Sequence, residues 1–172
     1  MQINFYPSWD KPEYEIAAKE YSEIWAKQGK RIIETIEKIS GLNFREKVIN
    51  AVTFGGHSYS APLQLQSKIS VENKKGSLVH ELCHRLLLGN NISIKLPKDR
   101  YKYFIEVHKP VMLILYDIWI ELFGEDYAKK QIEYEISEWD EEGTSPYKIV
   151  WDWALKMTKE QRQKEFRKYF KK

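Results

Sequence analysis

The sequence predicts an α+β chain that is mostly helical and carries one small sheet. Apolar residues recur at helical spacing from Glu13 to Ile39 and crowd together from Tyr101 to Phe123. Two short runs between those segments read as strands. Val48 to Phe54 is rich in Val, Ile, Thr and Phe, and Pro62 to Ser70 alternates apolar with polar. No stretch reaches the roughly 18 apolar residues that span a bilayer, and the longest apolar run, Val111 to Ile120, is interrupted by Asp117.

With 172 residues the chain reads as a single domain, residues 1–172, large enough for a proper core. Its formal net charge of +3 does not by itself call for nucleic acid. Cys83 is the single cysteine, so no internal disulfide can form, and a reducing, cytoplasmic setting is expected. The N-terminus lacks the basic start and apolar run of a signal peptide. Neither a membrane nor a nucleic acid is expected as a partner. Nothing in the residues sets an oligomeric state.

In chain order, Met1 to Pro12 is expected to be extended, its regularity broken by Pro7, Asp10 and Pro12. The helix from Glu13 is expected to end at Ser40-Gly41, with a break possible at Gly29. Gly55 to Ser58 is a turn. A short helix over Ser77 to Asn90 follows the second strand, with Ser77 as N-cap and Gly89 or Asn90 as its stop. Tyr101 to Phe123 is a long helix containing Pro110, which either kinks it or lies in its first turn. Further helices are expected from Asp126 to Trp139 and from Tyr147 to Met157, separated by a loop from Glu141 to Pro146. The last helix opens at Thr158-Lys159-Glu160-Gln161, a capping-box pattern. Its basic residues are Lys159, Arg162, Lys164, Arg167, Lys168, Lys171 and Lys172, with Phe166, Tyr169 and Phe170 as its apolar side.

The stretch that carries chemistry is His80-Glu81-Leu82-Cys83-His84. Four residues apart on a helix, His80 and His84 share one face and can hold one zinc ion, while Glu81 reaches the water that the metal activates. By composition alone such a motif arises in about one chain of this length in a few hundred. Leu78, Val79, Leu82 and Leu86 give the same helix a side to bury. The bland alternative is a core helix with two satisfied histidines.

These five residues resemble the signature of the zincin metallopeptidases, in a minimal gluzincin-like form. The resemblance implies Zn2+ as cofactor, His80 and His84 as ligands, and Glu81 as general base and acid. It implies a peptide or protein substrate. It also implies a small sheet packed over an HExxH active-site helix, followed by a helix that brings the third ligand. The alternating strand from Pro62 would then be the edge that receives an extended peptide.

A catalytic zinc takes three protein ligands. Glu106 and His108, just over twenty residues past His84, are the candidates for the third. On one helix they point to nearly opposite sides. His108 shares its side with Val111, Leu115, Trp119 and Leu122; Glu106 shares its side with Leu113, Asp117 and Glu121. A Glu ligand would match the thermolysin-like branch, but Pro110 stands where that branch has Asp. His108 is the choice, with Glu106 as the alternative. Asp117 needs a donor, either a ligand imidazole or a Tyr, Trp or Lys outside the site. His57 either contacts substrate or is a solvent-facing loop residue, and Cys83 is expected to pack. Two rival readings stay open: a catalytically inactive zincin-like binding domain, and a basic nucleic-acid-binding protein with an accidental motif.

Overall fold

The structure, a computed structural model, describes residues 1–94, 96–138 and 145–170. The chain divides into two compact units, Met1–Asn90 and Asn91–Lys172. The architecture is α+β and mostly helical, with a small sheet, as the sequence predicts.

In the first unit the strands β1 (Gln2–Pro7), β2 (Val48–Phe54) and β3 (Leu63–Gln66) form one sheet in the order β1-β2-β3. Both pairings are parallel, with Asn4 opposite Asn50 and Thr53 opposite Leu65. The expected extended start is therefore a sheet strand. The run from Pro62 is a strand only as far as Gln66, because the Ser67 backbone N–H and hydroxyl both turn back to the Phe54 carbonyl. Ile3, Ile49, Ala51, Leu63 and Leu65 are buried, which is the period-2 pattern of a sheet covered on one face.

Helix α1 (Pro12–Ser40) packs against the sheet. It runs unbroken through Gly29. A side chain there would collide with the Trp25 indole, since a Cβ would lie 2.6 Å from that ring, so glycine makes room rather than ending the helix. Gly41 closes α1 in the left-handed conformation that glycine adopts without steric cost. The Tyr21 hydroxyl donates to the Gln66 carbonyl at 3.0 Å, and the Thr53 hydroxyl donates to the Tyr14 carbonyl at 2.8 Å, tying α1 to strands β3 and β2.

Helix α2 (Val71–Gly89) starts earlier than the expected Ser77. The N-cap is Ser70, whose hydroxyl accepts from the Asn73 N–H at 3.1 Å. Polar residues fill the first turns, so the apolar stripe that marks the helix in the sequence begins only at Leu78. Lys74 is buried there. Its ammonium group donates to the Ile69 carbonyl at 2.6 Å and pairs with Glu20 of α1 at 2.9 Å. At the other end the Asn90 side-chain amide donates to the Leu86 and Asn43 carbonyls.

The second unit is helical: α3 (Arg100–Phe123), α4 (Glu125–Ser137), α5 (Pro146–Leu155) and α6 (Lys159–Phe166), followed by a short 3-10 turn at Arg167–Tyr169. Asp99 caps α3 by accepting from the Lys102 N–H at 2.8 Å. The helix continues through Pro110, which lies well inside it and is buried. Gly124 ends it at φ 92°, a conformation strained for any other residue. The capping box at Thr158 and Gln161 is formed in both directions. The expected helix end at Trp139, the loop residues Glu141 to Thr144, and Lys171 and Lys172 lie outside the described residues.

The core of this unit contains a buried ion pair. Arg162 of α6 holds Asp117 of α3 through Nη2 at 2.7 Å and Nε at 3.3 Å, and its Nη1 donates to the Met157 carbonyl at 2.7 Å. Asp117 thus finds its donor in a residue counted among the basic stretch, not in an imidazole. Arg162 is correspondingly buried rather than part of a solvated basic face.

Breaking a buried pair from one side leaves a charge without compensation. Asp117→Ala should lower the unfolding free energy by about 3–5 kcal/mol in urea titrations; a loss under about 1 kcal/mol would contradict the assigned pair. Ser70→Ala should cost about 1 kcal/mol as a lost N-cap. Ser77→Ala, inside the helix, should cost nothing measurable, and equal losses at the two serines would contradict the helix start at Val71.

Candidate metal centre

His80 and His84 project from α2, whose Leu78, Val79, Leu82, Cys83 and Leu86 are buried. One helical turn stacks the two rings on the same face. Their Nε2 atoms come within 3.1 Å, with ring centroids 5.0 Å apart and the rings tilted by 36°. An ion bound tetrahedrally at 2.0–2.1 Å puts its ligand nitrogens about 3.3 Å apart. The pair fits such an ion almost without adjustment. Glu81, next to His80, is a buried carboxylate on the same helix. Cys83 is fully buried.

Contacts at the far end of α2 fix how the helix is rotated. Arg85, adjacent to His84, grips the Glu46 carboxylate with Nε at 3.0 Å and with Nη2, while Nη1 donates to the Ser60 carbonyl at 2.5 Å. Together with Lys74 at the first turn, this pins both ends of the segment that bears the histidines.

His108 is buried on α3, on the side with Val111, Leu115, Trp119 and Leu122. Its Nδ1 lies 2.8 Å from the Phe104 carbonyl oxygen. A carbonyl can only accept, so Nδ1 carries a hydrogen, and in the neutral ring the lone pair is then on Nε2. This backbone contact is the kind that holds a metal-binding histidine in its ligating tautomer. The Phe104 ring stacks on His108 with centroids 3.9 Å apart, and Tyr147 of α5 meets both rings edge-on. The Tyr147 hydroxyl lies 3.4 Å from His108 Nε2.

Within the first unit His80 and His84 come close enough to share one metal ion, and His108, the third expected ligand, belongs to the second unit. His80 and His108 are buried and His84 half-buried. Glu106 is engaged elsewhere. It pairs with Lys109 at 2.6 Å. It also faces Tyr169, whose phenol is pushed up to about 12, first by burial and then by the charges of Glu106 and Glu165.

His57 is exposed, in the loop between β2 and β3. The expected open edge at β3 is closed at Gln64. Its N–H donates to the Tyr59 carbonyl at 2.9 Å and its carbonyl accepts from the Tyr59 N–H at 2.8 Å. The Gln66 N–H donates to the Ser58 hydroxyl at 3.0 Å. An extended peptide could pair there only by displacing Ser58 and Tyr59.

Tyr147 is the residue of this region that the sequence does not single out. It is one of eleven tyrosines, and no spacing links it to His108. No protein-family model, no curated protein and no solved structure matches this chain.

Zinc titration with a competing chelator separates the two candidate third ligands. His108→Ala should weaken zinc binding by at least about tenfold, while Glu106→Ala should leave it within about twofold, given the large affinity losses that follow disruption of a metal site. The reverse order would contradict the choice of His108.

Proposed function

We propose that this chain is a zinc-dependent hydrolase that cleaves peptide bonds. The observation that carries the reading is the 3.1 Å approach of the His80 and His84 Nε2 atoms on a helix that also bears the buried carboxylate of Glu81. The donor set supports zinc: three imidazoles suit a borderline ion, and a three-histidine set with one position left over is a catalytic pattern. His80 and His84 would hold it, with His108 as the third ligand that the sequence offers. When bound, zinc supplies Lewis acidity and makes water a nucleophile near neutral pH.

The remaining steps fall to the chain's own residues. Glu81 takes a proton from the attacking water as its oxygen bonds to the scissile carbonyl carbon. The C–N bond then breaks, and Glu81 returns that proton to the departing amine. Burial serves this role by keeping bulk water from competing for the proton between the two transfers. Arg85 and Lys74 act as positioning residues by fixing α2. The likeness of His80-Glu81-Leu82-Cys83-His84 to the zincin signature supports a peptide or protein as substrate. With β3 closed at Gln64, backbone pairing to that edge is not part of the proposal.

The test uses the full chain with a mixture of unstructured peptides, and mass spectrometry to find new termini. Glu81→Gln should keep one zinc per chain yet lose hydrolysis by about 10²–10⁴-fold or more, the range a general acid–base contributes. His80→Ala and His84→Ala should lose the metal itself. Full turnover by Glu81→Gln, or a zinc-loaded chain that cleaves no peptide, would contradict the reading.

A further inference from the structure

We propose that the start of α3 and the close of α6 together form a binding surface for single-stranded nucleic acid. The surface lies within the second unit and does not rest on the metal reading above.

The two helices bring the surface together. Arg162 of α6 holds Asp117 of α3 at 2.7 Å. From there α6 heads back toward the start of α3. Glu106, in the second turn of α3, faces Tyr169, just past α6. The Ser93 N–H, on the chain that leads into α3, donates to the Tyr169 carbonyl at 3.0 Å. Lys98, Arg100 and Lys102 are thereby gathered with Lys164 and Arg167 at one end of the unit, and all of them are exposed.

Uncompensated charge marks this end. Among the described residues no carboxylate lies within ion-pair distance of Lys98, Arg100, Lys102, Lys164 or Arg167. The acidic groups nearby are already engaged. Asp99 accepts from the Lys102 N–H at 2.8 Å, Glu106 pairs with Lys109 at 2.6 Å, and Glu165 pairs with Lys168 at 2.5 Å. Elsewhere in the unit, Lys129 and Lys148 have carboxylate partners at 2.7 and 2.6 Å. The net charge of +3 hides this concentration, because segments such as α4, with Glu125, Asp126, Glu133 and Glu135, offset it. A polyanion is the complement of such a surface, since it releases its own counterions as the cations take its phosphates.

The aromatic residues select the kind of polyanion. Tyr101 and Tyr103 are 42% and 44% exposed and interleave with Arg100 and Lys102. Bases stack on exposed rings while cations hold the phosphates between them. An acidic peptide would leave the rings unused. Two residues apart on a helix, the rings point about 200° from each other. A lipid surface needs its apolar groups on one side, and a duplex is too stiff to bend around a helix end. A single strand can pass around that end and use both rings.

The probe is a fluorescein-labelled oligouridylate of about 12 nucleotides, titrated with the full chain by fluorescence anisotropy between about 50 and 200 mM salt. The logarithm of the affinity should fall with the logarithm of salt concentration with a slope of about −2 to −3.5. Arg100→Ala and Arg167→Ala should each make that slope shallower by about 0.7. Tyr101→Ala should weaken binding at least about fivefold with the slope unchanged, and Tyr101→Phe, which keeps the ring, should bind as the unaltered chain does. Lys130→Ala, on α4, should change neither slope nor affinity. Absence of binding at the lowest salt would overturn the proposal. So would an equal loss in Lys130→Ala, or tighter binding to phosphatidylserine vesicles or to a duplex of the same length than to the single strand.

Discussion

Two imidazole nitrogens held 3.1 Å apart are the constraint on which the rest depends. Two lone pairs cannot face each other at that distance without something positive between them. Either one ring keeps a hydrogen on Nε2 and shares it with the other, or a cation sits between both. The spacing itself is a helix property, because residues four apart stack on one face. What the protein adds is the fixing of that helix, by Lys74 against Glu20 and the Ile69 carbonyl at the start, and by Arg85 against Glu46 and the Ser60 carbonyl near the end.

His108, in the second unit, has a fixed ring orientation of its own. The Phe104 carbonyl takes the hydrogen on Nδ1, which in the neutral ring leaves the lone pair on Nε2 facing the Tyr147 hydroxyl. The paired carboxylate and guanidinium of Asp117 and Arg162 act at another level. They join α3 to α6 and stabilise the unit that carries His108, without entering the site's chemistry.

Local features were legible in the sequence. Val48 to Phe54 is a strand because β-branched and aromatic residues crowd there, and the capping box at Thr158 is a pattern of four residues. The side of α3 that carries His108 could be drawn from 3.6-residue spacing alone. The start of α2 was not legible, because Val71 to Lys75 offers no apolar stripe and the cap is a lone serine before a polar run. Long-range pairings were invisible for a different reason. The parallel register of β1 on β2 joins residues 46 apart, the Asp117–Arg162 pair spans 45, and Tyr147 reaches His108 from 39 positions away. Periodicity carries no information about such pairings, and the bridge from Tyr59 that closes the edge of β3 leaves no trace in alternation at all.

X-ray absorption at the zinc edge, on the zinc-loaded chain, tests the central claim most directly. The expected result is one zinc per chain, a first shell of nitrogen and oxygen at about 2.0–2.1 Å, and the outer-shell scattering of three imidazoles. A sulfur shell at about 2.3 Å, scattering from fewer than two imidazoles, or failure to hold zinc in stoichiometric amount would contradict it.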